Sequence, residues 1–77
     1  MALAALGWIL ADEARAHRFL DLTGLTPDVL RASLANPGTQ LAVLDFLCGH
    51  EPDLVAAAES LDIRPSDLVA AREDLAR

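Results

Sequence analysis

Leu20-Asp21-Leu22-Thr23-Gly24-Leu25-Thr26-Pro27-Asp28-Val29-Leu30 reads as the end of one helix and the start of the next. Gly24 supplies a left-handed residue where a helix stops. Thr26 offers a side-chain oxygen to free N–H groups, and Pro27 fits the first helical position, whose N–H has no partner anyway. The same punctuation recurs at Asn36-Pro37, Glu51-Pro52 and Arg64-Pro65, each followed by leucines or alanines at helical spacing. Gly49 is expected, like Gly24, to close a helix in the left-handed region. Asp12 is placed to cap a helix carrying Ala16, Phe19, Leu20 and Thr23 on one face. The expected helices are 2–11, 13–23, 27–35, 38–48, 52–61 and 65–76. No stretch alternates as a strand would.

Composition agrees with an all-α fold. The chain has 77 residues, of which 53% are apolar, and fifteen Ala and fifteen Leu dominate. That length gives one small domain, residues 1–77, a compact bundle of five or six short helices. Sliding the sequence by 38 residues aligns its halves. Leu3-Ala4-x-Leu6-x-Trp8-Ile9 falls on Leu41-Ala42-x-Leu44-x-Phe46-Leu47, and Glu13 falls on Glu51. Leu25-Thr26-Pro27-x-x-Leu30-x-Ala32 falls on Ile63-Arg64-Pro65-x-x-Leu68-x-Ala70. Seven of 32 aligned positions are identical, at cap, turn and core places. Two three-helix repeat units, 1–36 and 37–77, are the expectation. Leu30 and Leu68 are then equivalent core positions, while Val29 and Asp67 lie towards solvent.

Charge narrows the function. All six cations are Arg, against twelve acids, for a net charge of −6. Residues 1–38 hold four acids and three Arg; residues 39–77 hold eight and three. Phosphate backbones and anionic membranes are repelled by the second half, so neither nucleic acid nor membrane is expected as a partner. The apolar opening, residues 1–11, is too short to span a bilayer and lacks a signal peptide's basic start. It reads as a buried helix. Cys48 is alone, which suits a reducing, cytoplasmic setting.

Chemistry is hard to assemble from these residues. No Cys-x-x-Cys or His-x-x-x-His pair exists beside His17, His50 and Cys48, so no metal is expected. No Lys or Tyr is present, Ser33, Ser60 and Ser66 have no evident base, and the glycines are isolated. No catalytic residue, cofactor or enzyme activity is therefore expected. An acyl carrier is excluded because Ser66-Asp67-Leu68 inverts the Asp-Ser-Leu order and lies near the C-terminus. The alternative reading is a helix-turn-helix regulator. Ala58-x-x-Leu61-Asp62-Ile63 with Leu68 and Ala71 has its spacing, and so has Leu20-x-x-Thr23-Gly24-Leu25 with Leu30 and Ser33. The reading helix would offer Pro65, Ser66, Asp67, Val69, Ala70 and Glu73, which carry no donor for guanine.

Leu6-Gly7-Trp8, Arg18-Phe19-Leu20, Thr23-Gly24-Leu25 and Val43-Leu44-Asp45-Phe46-Leu47 give the chain a family likeness. It resembles a small bacterial family of unknown function, with a Leu-Gly-Trp-Leu opening and a Phe-Leu-x-x-x-Gly-Leu turn. The resemblance implies a short acidic all-helical protein, and no reaction or cofactor. The expected role is a non-enzymatic protein-interaction module, binding itself or another protein. Trp8 and Phe46 are its candidate partner-binding residues. At matching places in the two units, they are also expected to pack as one aromatic centre.

Overall fold

The computed structural model describes residues 1–77. It is an all-α fold of six helices: α1 (Ala2–Leu10), α2 (Glu13–Thr23), α3 (Pro27–Ala32), α4 (Pro37–Cys48), α5 (Glu51–Ser60) and α6 (Pro65–Ala76). Each start has a local cause. Asp12 accepts from the Arg15 N–H at 2.9 Å, Thr26 from Val29 at 3.2 Å, and Asn36 from Gly38 at 2.7 Å. Asp67 reaches back to accept the Arg64 N–H at 3.0 Å. Pro27, Pro37, Pro52 and Pro65 all lie in first turns. Helix α3 is shorter than expected, because the Ser33 hydroxyl donates to the Val29 carbonyl at 2.8 Å and the chain turns at once towards Asn36.

Gly24 is left-handed, with φ 72°. Gly49 is not: its φ is −80°, and the other left-handed residue is Asp62 at φ 57°. His50 is already extended as the first residue before α5, so the α4–α5 junction has no room for a left-handed step. Glycine serves there by size, since a Cβ on Gly49 would stand 3.2 Å from the Asp45 carbonyl oxygen.

Thirteen residues are buried, and all are apolar. Helix α4 is central, contributing Val43, Leu44, Phe46 and Leu47 and packing against α1, α2, α5 and α6. Its longest contact is with α6. The expected buried opening is half right. Helix α1 buries Ala2, Ala5, Leu6 and Ile9 but exposes Leu3, Gly7 and Leu10. A 77-residue chain has too little mass to surround a helix on every side.

Burial follows the 38-residue spacing in part. Ala5, Leu6, Ile9, Phe19 and Leu30 are buried, and so are Val43, Leu44, Leu47, Ala57 and Leu68, their counterparts. Ala2, Phe46 and Ala58 are buried while Gln40, Trp8 and Leu20, at that spacing from them, are only half-buried. The two left-handed residues, Gly24 and Asp62, are also 38 apart. The halves part at the third helix, where α6 lies along α4 while the six-residue α3 packs extensively against no other helix.

Candidate functional site: a groove between α2 and α4

The largest concavity is an open groove of about 730 Å³ between α2 and the two ends of α4. Leu22, Leu25, Ala42 and Phe46 form its apolar part. Arg18, Asn36, Thr39, Asp45 and His50 stand around it. Leu22 is 72% exposed, so its own chain leaves it in water. The Thr23 hydroxyl donates to the Phe19 carbonyl at 2.9 Å and accepts the Leu25 N–H at 3.3 Å, which fixes the wall where α2 ends.

Phe46 forms the buried floor. Its ring meets Phe19 edge to face, with centroids 5.3 Å apart and planes at 89°. The Arg18 guanidinium lies 5.2 Å from the Phe46 centroid and also donates to Asp53. Trp8 is elsewhere. It is half-buried, and the Arg15 guanidinium covers its ring at 3.5 Å while donating to the Trp8 carbonyl. The aromatic pair is thus Phe19–Phe46, not the expected Trp8–Phe46. The register pairs Trp8 with Phe46 along the chain, but Phe19 on α2 faces α4 directly. Of the two candidate partner-binding residues, only Phe46 lines the groove. The signal for Phe19 was its place on the apolar face of α2.

At one end of the groove, His50 Nδ1 lies 3.0 Å from Asp53 Oδ2, the oxygen that also accepts from Arg18. This joins α2 to the start of α5. A carboxylate-held imidazole can act as a base only beside a group worth deprotonating. The Thr39 hydroxyl donates to Ser33 at 3.0 Å and is occupied. Burial pushes the Cys48 thiol above its ordinary range, and Asp45 adds to the effect against the opposing charge of Arg72. Cys48 is therefore held as a poor nucleophile. His17 is exposed on α2, 3.9 Å from Glu13. No three His, Cys, Asp or Glu side chains gather as metal ligands. No helix is long and apolar enough to cross a membrane.

Three of the six Arg side chains make hydrogen bonds: Arg15, Arg18 and Arg72. Arg18 pairs with Asp53 and Arg72 with Asp45. Arg31, Arg64 and Arg77 lie 3.7–3.9 Å from Asp28, Asp67 and Asp74, each within its own helix turn. Arg15 covers Trp8. Arg31, Arg64 and Arg77 are largely exposed, and their pairs are loose surface contacts.

No curated protein and no solved structure matches the chain. A family described as "Protein of unknown function (DUF3572)" matches residues 1–77. The match spans the whole length, including the Gly24 turn and the Phe46 floor, and the chain belongs to that family.

Proposed function

We propose that this domain is a non-enzymatic protein-interaction module and that the α2–α4 groove receives an apolar segment of a partner protein. The observation that carries this reading is the groove itself: an apolar strip ending in the exposed Leu22, ringed by Arg18, Asn36, Asp45 and His50. An apolar centre with a polar rim is the anatomy of protein interfaces. The occupied Thr39 hydroxyl and the raised Cys48 thiol support binding over catalysis, and the net charge of −6 speaks against nucleic acid. A lone, half-buried thiol also suits a reducing cytoplasm.

Peptide-display selection against the immobilised domain tests the reading, with NMR amide shifts locating each selected peptide. The expected shifts fall on residues around Phe46 and Leu22. Leu22→Glu and Ala42→Arg should abolish binding, and Leu3→Glu, outside the groove, should preserve it. Selected peptides that bind another face, or that bind the Ala42→Arg variant unchanged, would overturn the proposal.

A further inference from the structure

Helix α1 has a feature that its own fold does not use. Gly7 stands inside a nine-residue helix, where glycine weakens the helix, and a Cβ on it would meet nothing within 4 Å. The packing of this chain does not require the missing side chain. Around Gly7 the outward side of α1 is apolar. Leu3 and Leu10 are 53% and 44% exposed, and Ala4 and Ala11 are exposed beside them. Spacings of four and three put Leu3, Gly7 and Leu10 on one stripe. At Leu10 the stripe meets a second groove, about 330 Å³, lined by Leu6, Leu20, Pro27, Leu30 and Leu34 together with Arg31.

We propose that this stripe is the interface of a homodimer, in which α1 packs antiparallel against α1 of a second copy across a two-fold axis at Gly7. Shape is the first reason for a second copy. Leu3 lies about 6 Å along the helix from Gly7, and Leu10 about 4.5 Å in the other direction. Two-fold rotation sets Leu3 of each copy against Leu10 of the other, at the mouth of the leucine groove. An isologous contact requires this self-complementarity. Gly7 at the axis lets the two backbones approach closely.

Charge is the second reason. Two copies at −6 each repel one another, so self-contact is least opposed where no acidic side chain lies. Neither α1 nor the lining of the adjoining groove, whose one charged residue is Arg31, carries one. Helix α1 is the one helix of the six without a charged side chain. A basic partner would be drawn instead to residues 39–77, which hold −5 of the charge (three Arg against eight acids). The proposal uses a different face from the α2–α4 groove and stands or falls independently of it.

Sedimentation of the full chain from about 1 µM to about 1 mM, at physiological salt, tests it. A reversible monomer–dimer equilibrium is expected. Leu3→Glu and Gly7→Leu should each raise the dimer dissociation constant more than about 100-fold, as hot-spot changes do. Both should leave the helical circular dichroism of the dilute monomer intact, since Leu3 is exposed and the Gly7 site is open. Leu22→Glu should leave dimerisation unchanged. In a Cys48→Ala background, Gly7→Cys should give a disulfide-linked dimer on mild oxidation. A chain that stays monomeric throughout overturns the proposal, whether or not it adsorbs to phosphatidylcholine vesicles. So does a dimer that survives both Leu3→Glu and Gly7→Leu.

Discussion

Leu30 is 4% exposed and Val29, the residue before it, is 52% exposed. The difference follows from the turn of α3, which aims Leu30 back over the chain entering the helix. Leu68, its counterpart in α6, is fully buried. Truncating a buried Leu to Ala costs about 2–5 kcal/mol, against about 5 kcal/mol in all for a domain of this size. Leu68→Ala should fall near the upper end, because α6 is packed along α4. Leu30→Ala should fall near the lower end, because it borders a groove that can close over the loss. Val29→Ala should cost under about 1 kcal/mol. Urea denaturation of the three variants checks this order.

Cys48 adds a pH dependence at the same scale. Burial holds its thiol above the ordinary value of 9.0. Between the unfolded and folded values the native state keeps a proton that the unfolded state has lost. Stability is therefore full below the unfolded value and declines as pH rises through the folded one. Denaturation of the wild type should weaken along that alkaline window, and Cys48→Ala should remove the part due to the thiol. Iodoacetamide should alkylate native Cys48 more slowly than it alkylates the unfolded chain.

Single elements differ in how firmly they are held. Helix α3 has six residues and sparse contacts, below the length at which a helix sustains itself. Helix α4 has twelve residues and neighbours on several sides. Amide hydrogen exchange should be fastest in α3 and slowest in α4 and α6; equal protection in α3 would contradict the packing. Helix α1 offers a second test. Gly7→Ala should stabilise the dilute monomer by about 0.5–1 kcal/mol, the ordinary gain in a helix interior with open space around the new methyl. The existence of all six helices was legible from prolines, caps and leucine spacing, since those signals act within a few residues. The early end of α3 was not, because the Ser33 hydroxyl chooses between turn and helix only with Thr39 and Asn36 in place around it.

The molecule as a whole is tied across its halves by Asp53. Its side chain is 14% exposed, accepts from Arg18 of α2, and lies 3.0 Å from His50 Nδ1. Arg18 is 45% exposed, so solvent screens the pair and its worth is that of a partly wet ion pair, about 1 kcal/mol. Asp53→Ala should lower stability by about that amount, and the loss should shrink at high salt. The same change should loosen the α2–α4 groove without emptying its apolar floor, so peptide binding should weaken rather than vanish. A salt-independent loss of several kcal/mol would show a larger structural role for Asp53.

The sequence alone determined the all-α class, five of the six helix spans to within about two residues, the left-handed Gly24, and the burial of Leu30 and Leu68 beside an exposed Val29. These are properties of local spacing: caps, proline placement and the 3.6-residue period act over one or two turns. Tertiary structure alone decided that Phe46 meets Phe19, that Arg15 covers Trp8, that Gly49 stays right-handed, and that Asp62, between α5 and α6, takes a left-handed step. It also decided that Leu22 and Leu3 are left in water. Those outcomes depend on which helix faces lie opposite one another. A pattern of apolar residues says that a face is to be buried, but not against what, and in so short a chain not every such face finds cover.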